Sequence, residues 1–114
     1  MDEQNYMTAF AIIAEAGDSK AQSMEAIRCA KEGRFEEAEE HLKNAREKMN
    51  EVHNTQTELF TEEANGNPTD VNIILVHAQD HLTMCIMAYD NAQIVMELYK
   101  EIYEMKKNNE KRGC

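Results

Sequence analysis

A single proline, Pro68, and four glycines are all that 114 residues offer in the way of helix breakers. Long stretches are therefore free to run as helix, and two places interrupt them. At Lys31-Glu32-Gly33-Arg34 the glycine suits the left-handed position that closes a helix. At Asn65-Gly66-Asn67-Pro68-Thr69-Asp70 one helix stops, and Thr69 or Asp70 offers an N-cap for the next. Gly17-Asp18 is a weaker break. A glycine inside a helix costs about 1 kcal/mol against alanine, so this pair reads as a kink or a close helix approach.

Between the breaks, apolar residues step by three and four. Phe35, Ala38, Leu42, Ala45, Met49, Val52 and Leu59 form one seam, with Gln56 as its polar member. Val71, Leu75, Ala78, Leu82, Cys85, Tyr89, Ala92, Met96, Tyr99 and Tyr103 form another. In the first segment the stripe is Phe10, Ile13, Gly17, Met24 and Ile27, with Lys20 as its defect. This spacing predicts helices over 5–31, 35–64 and 70–107 and an all-α fold. The third would be roughly 55 Å long at 1.5 Å per residue. Helices of that length persist only when packed, and short connections make neighbours antiparallel. The expectation is an up-down-up three-helix bundle in a single domain over 1–114.

The third segment carries a second apolar face: Ile73, Ile74, Met84, Ile86, Met87, Ala88, Ile94 and Val95. Three helices supply too few neighbours to cover it, which predicts self-association.

Charge narrows the partners. Twenty-two acidic and 12 basic side chains leave a formal charge of -10. Such a surface repels nucleic acid and anionic membranes and favours a partner with a basic docking patch. Cys29, Cys85 and Cys114 are an odd number without paired spacing, and the first two fall in helical patterns where a reduced thiol acts as a small apolar residue. The acidic, polar start does not read as a signal peptide. No run approaches the roughly 18 to 20 apolar residues needed to span a bilayer, so a cytoplasmic protein without membrane insertion is expected.

The densest chemistry lies in Val76-His77-Ala78-Gln79-Asp80-His81-Leu82. Residues three and four apart share a helix face, so His77, Asp80 and His81 project together. Such a set can ligate a metal ion through imidazole and carboxylate. It can equally present one imidazole nitrogen as a phosphoryl acceptor while a hydrogen bond orients the ring. A plain solvated face is the third reading. Its weakness is that the cluster interrupts the most apolar stretch of the chain, where unpaired charge is costly. His53 and Gln56 share a face of the middle helix, and Gln56, at a seam position, reads as an amide that fixes register. His41, beside Glu39 and Glu40, reads as solvated. The basic residues Lys106, Lys107, Lys111 and Arg112 suit a helix C-terminus and a frayed tail. There is no glycine-rich phosphate loop, no Cys-x-x-Cys and no Gly-x-Ser-x-Gly.

Ile73-Ile74-Leu75-Val76-His77-Ala78-Gln79-Asp80-His81-Leu82 resembles the active-site signature of the lactose/cellobiose-specific IIA components of the phosphoenolpyruvate-dependent sugar phosphotransferase system. Other matches follow in order: Ile12-Ile13 with Gly17-Asp18, the run Ala30 to Ala38, His53 with Gln56, and Glu63-Ala64-Asn65-Gly66. The resemblance spans residues 9 to 105. It departs from the family pattern at Thr83-Met84, where the order is usually reversed, and at Ser19, usually alanine.

The resemblance implies a homotrimer of three-helix subunits. It implies that His77 is phosphorylated by the histidine-containing phosphocarrier protein and hands the group to a cysteine of the cognate IIB component during uptake of a disaccharide such as lactose, cellobiose or chitobiose. It further implies that Asp80 binds a divalent metal ion, Mg2+, shared between subunits. Gln79 and His81 are expected to line the site around His77. The competing reading is a non-catalytic helical scaffold or adaptor whose histidines bind a structural metal. A tetratricopeptide-like module is excluded by helices too long for a 34-residue repeat. A di-metal carboxylate enzyme would need two Glu-x-x-His motifs, which the sequence lacks.

Overall fold

The computed structural model describes residues 3–112, so Cys114 lies outside the described residues. Three helices make up the chain: α1 (Glu3–Lys31), α2 (Phe35–Ala64) and α3 (Ile73–Arg112). They form an antiparallel rod about 70 Å long and 20 Å across (70 × 21 × 19 Å). Among the described residues no helix is long and apolar enough to cross a membrane.

Both loops use the same device. Gly33 has φ 81° and Gly66 has φ 86°. At the first loop the Gly33 N–H donates to the Ala30 carbonyl at 3.0 Å and the Arg34 N–H to that of Cys29 at 2.9 Å. At the second, Gly66 donates to Glu63 at 3.1 Å and Asn67 to Glu62 at 2.8 Å. These paired bonds satisfy the helix's orphaned carbonyls, and the left-handed turn sends the chain back.

Gly33 has a second constraint, because a Cβ there would lie 2.8 Å from the Tyr103 ring. The Tyr103 hydroxyl donates to the Lys31 carbonyl at 3.0 Å, and its ring meets Phe35 edge-on with centroids 5.4 Å apart. Gly33→Ala is therefore expected to destabilise the bundle by about 2 kcal/mol, from left-handed strain plus the clash. A urea titration reads this directly. Gly66→Ala, which has the strain but no neighbour within 4 Å, should cost less.

The start of α3 differs from the expected 70. Thr69 and Asp70 stay outside the helix, and Asn72 is the cap instead: its Oδ1 accepts from the Leu75 N–H at 3.0 Å. Proline and the residue before it cannot readily join a helix, and asparagine is as good a cap as aspartate. At the other end α3 runs to Arg112, so Lys111 and Arg112 lie in its last turn and face the negative end of the helix dipole.

The core forms two clusters. Ala26, Cys29, Ala38, Leu42, Ala45, Tyr89, Ala92 and Met96 pack near the α1–α2 loop. Ala9, Ile12, Ala16, Val52, Ala78, Leu82 and Cys85 pack toward the other end. The seams expected on α2 and α3 are the ones buried, apart from Val71, which precedes α3 and is exposed.

In α1 the expectation holds only in part: Ile13 and Ile27 pack half-buried against the core, while the other apolar members do not. Its buried face is Ala9, Ile12, Ala16, Ser19, Ser23, Ala26, Cys29 and Ala30. Phe10 and Met24, read as seam residues, are 56% and 54% exposed. Small side chains on the inner face let α1 lie close along both other helices. Gly17 is exposed, continues the helix, and has nothing within 4 Å of where a Cβ would be, so it marks neither kink nor close approach. Ser19 is accommodated because its hydroxyl donates to the Ala45 carbonyl at 2.8 Å. Burial pushes the Cys85 thiol up, partly offset by a hydrogen bond with Ser19, which keeps that cysteine protonated and unreactive. Cys29 and Cys85 are both free and buried.

His41 also departs from expectation. It is half-buried, and its Nδ1 is 2.7 Å from Gln22 Oε1, joining α2 to α1. A groove beside this contact is lined by Asp18, Gln22, Asn44, Glu47, Lys48 and Glu51. A hydrogen bond with Glu15, and then that neighbour's charge, hold the Glu51 carboxyl above its usual value, while Lys48 lies 3.6 Å from Glu15. A carboxyl whose folded-state value is raised stabilises the fold below its unfolded value and loses that contribution as pH rises through the folded one. Glu51→Gln is therefore expected to melt higher than the parent at pH 7 to 8. The difference should close as pH falls toward the ordinary carboxyl value of 4.5. Thermal melts across that range test the sign.

Candidate functional site

The second core cluster anchors the segment that carries the histidines. Ala78 and Leu82 are buried against α1 and α2, which fixes the rotation of α3 about its axis. Gln79 is half-buried and its Oε1 accepts from Gln56 Nε2, so a pair of amides ties α3 to α2 at this level. Gln56 thus has the register-fixing place its seam position suggests. Gln79 lies on the α2 side of its helix, as a clamp directly behind His77.

With those residues turned inward, His77 and Asp80 face out, and His81 is half-exposed. The Nε2 atoms of His77 and His81 are 3.1 Å apart, with the rings perpendicular and their centroids 4.5 Å apart. Two imidazole nitrogens at that distance need one N–H and one lone pair between them. At least one ring of the pair therefore presents an Nε2 lone pair directed at its neighbour. Asp80 makes no hydrogen bond or ion pair among the described residues. His53 is exposed on α2 and has no side-chain hydrogen bond to the pair.

A single chain does not assemble a metal site here. Among the described residues no three His, Cys, Asp or Glu side chains converge on a point that would hold an ion. Asp80 instead belongs to an outward track along α3 that steps alternately by four and three: Ile73, His77, Asp80, Met84, Met87, Asn91, Ile94 and Leu98, all exposed. This track lies opposite the buried seam. Ile73 is 83% exposed, and further apolar groups, Val76, Ile102 and Met105, flank or extend it. Of the second apolar face read from the sequence, Ile74, Ala88 and Val95 are half-buried, and the rest are uncovered. A continuous apolar face of this length marks a surface made to be covered.

Beside the histidines, Leu59, Phe60, Glu63, Thr69, Val71, Leu75, Val76 and Gln79 line a groove of about 240 Å³ between the end of α2 and the start of α3. No sequence pattern points to it, because it joins the seam residues Leu59, Val71 and Leu75 to Phe60, Glu63, Thr69 and Val76 from outside the seams.

Comparison with known proteins accords with this arrangement. Residues 7–100 match the family model described as "PTS system, Lactose/Cellobiose specific IIA subunit". The lichenan-specific phosphotransferase enzyme IIA component of Bacillus subtilis (strain 168) is 40% identical over 106 residues, covering 93% of this chain and 96% of that protein. The crystal structure of the cellobiose-specific enzyme IIA from Bacillus anthracis superposes with a TM-score of 0.88 at 36% identity, covering 91% of this chain and 95% of the other. A chain in the solution structure of the IIA(chitobiose)–HPr complex of the Escherichia coli N,N'-diacetylchitobiose branch gives 0.77 at 27% identity, covering 90% and 99%.

Proposed function

This chain belongs to the lactose/cellobiose-specific IIA family of the sugar phosphotransferase system, and from that premise we propose that His77 is the residue that carries its phosphoryl group. The observation that supports this most is the exposed imidazole of His77 with its Nε2 3.1 Å from that of His81.

When His81 donates its Nε2–H, the His77 Nε2 keeps a lone pair and the His77 proton sits on Nδ1. An incoming phosphohistidine of the phosphocarrier protein presents its phosphorus in line with that lone pair. The N–P bond to the donor breaks as a new N–P bond forms at His77, and the donor imidazole retains the electron pair. The His81 N–H, displaced from the nitrogen, is then within reach of a phosphoryl oxygen and offsets part of its charge. In the second half, a cysteine thiolate of the IIB component attacks the same phosphorus and His77 leaves as a neutral ring. Gln79, fastened to Gln56, keeps the helix from rotating while two different partners dock. The negative surface suits partners that bring the positive charge themselves. The protein acts in the cytoplasm, and the sugar, a disaccharide of the lactose or cellobiose type, never touches it.

Self-association through the α3 track completes the reading, with a homotrimer as the assembly. Copies meeting along that track from Asp80 to Leu98, with His77 left at its open edge, bring their Asp80 carboxylates together, and like charges there require a compensating cation or a shared proton. The donor chemistry suits a cation: carboxylate oxygens are what Mg2+ takes, and Asp80 of each copy would hold it. Bound there, the ion would supply charge neutralisation.

The test is reconstitution. With phosphoenolpyruvate, enzyme I and the phosphocarrier protein, the chain should gain one acid-labile phosphate per copy, and should lose it on addition of a IIB component. A chain that stays unlabelled under conditions that label a IIA relative would overturn the proposal.

A further inference from the structure

Asn91 lies on the outward track of α3, and its amide makes no hydrogen bond among the described residues. Between Met84 and Leu98 it is the only polar residue of that track. The groove beside it is lined mainly by apolar side chains, including Met24, Met84, Met87 and Ala88. We propose that Asn91 sets the register of the α3–α3 contact: amides from neighbouring copies bond to one another and hold the helices level. This inference rests on the reading that the chain associates through α3.

The chemistry singles out this residue. An amide carries both donors and an acceptor, so a closed ring of identical amides satisfies itself, each donating to the next. Three carboxylates at Asp80 cannot do the same. Nor do the neighbours on the track define a level. Methionine is unbranched and adaptable, so Met84 and Met87 pack almost equally well after a slip of one heptad. Such a slip, roughly 10 Å along the axis, would bury each amide against apolar side chains of the next copy, without a partner. A lone asparagine in an apolar helix seam trades stability for a unique alignment in this way. Asp80 lies 11 residues before Asn91, about 16 Å along the same helix, so levelling the amides also levels the carboxylates. Asn91 is thus a positioning residue for the metal-binding layer, and touches neither phosphate nor metal.

The experiment places a nitroxide at position 97 (Glu97→Cys, with Cys114→Ser and the two buried cysteines left in place). It reads intermolecular distances by pulsed electron resonance and mass by sedimentation. The parent should give one mass and one narrow distance. Asn91→Leu should melt higher than the parent, yet give several distances or several masses as slipped assemblies appear. If Asn91→Leu keeps the parent's single distance and mass, the assignment of Asn91 falls while the α3 association stands. If the parent itself has the mass of one chain and no intermolecular distance, the association reading fails and takes this one with it.

Discussion

His77→Ala should take up no phosphate from the phosphocarrier protein, a complete loss, while its helix content and melting temperature stay close to the parent's. The two halves of that expectation have separate grounds. The imidazole is exposed and supports no part of the core; the residues that hold this turn in place are Ala78 and Leu82. Alanine is the better helix former by up to about 0.7 kcal/mol, and exposed substitutions seldom move stability by more than about 0.5 kcal/mol. Loss of labelling therefore cannot be charged to unfolding. The chemistry is all or nothing, since no other group can accept the phosphoryl in the same docking pose except His81.

That neighbour sharpens the test. With its Nε2 3.1 Å from that of His77, His81 is the first place to look if label survives in His77→Ala. The proposal expects none there, because His81 leans back toward the bundle as the half-exposed member of the pair. His81→Gln retains an N–H able to donate, and should slow transfer by a factor of about 10. His81→Ala, which leaves the His77 tautomer unsupported and the phosphoryl oxygen without its donor, should slow it by about 10². Single-turnover labelling with excess phosphorylated carrier separates these rates from binding. Equal rates for the parent and both variants would remove His81 from the mechanism.

How far the sequence reveals this arrangement depends on side-chain size. The seams of α2 and α3 stand out because Leu42, Val52, Leu82 and Met96 are large, and spaced by threes and fours. In α1 the buried face is mostly alanine and serine, with Ile12 and Cys29, which together carry little periodic signal. The expected stripe is split: Phe10 and Met24 face outward, while Ile13 and Ile27 pack half-buried against the core. A close-packed inner helix is read most easily from what it lacks, and no periodicity of large residues points to it. The site is legible for a simpler reason: His77, Asp80 and His81 are neighbours in sequence, and helical spacing alone puts them on one side. Gln56 announces itself as polar in an apolar seam, but its partner Gln79 is 23 residues away and no pattern joins them. The contact between His41 and Gln22 is invisible for the same reason. Thr69, Asp70 and Asn72 are all good caps by residue type, and only the path of the chain after Pro68 chooses Asn72 among them.

Asp80 yields the other large effect, and its signature is an order of stabilities. Three carboxylates brought within about 4 Å of one another repel by about 4 kcal/mol per pair at an effective dielectric of 20. Metal-loaded parent should therefore be the most stable assembly, and parent stripped by a chelator the least, dissociating at concentrations where the loaded form is intact. Asp80→Asn removes the charge together with the ligand. It should fall between the two and be indifferent to chelator. Asp80→Leu removes the polar group altogether and extends the apolar track, so it should associate at least as tightly as Asp80→Asn, again without metal. Sedimentation at a series of concentrations, with and without chelator, ranks all four. If stripping leaves the parent's association unchanged, or if Asp80→Asn still responds to the chelator, the carboxylates do not meet around an ion. The track would then be covered in some arrangement that keeps them apart, because nothing else on that face can absorb so much like charge.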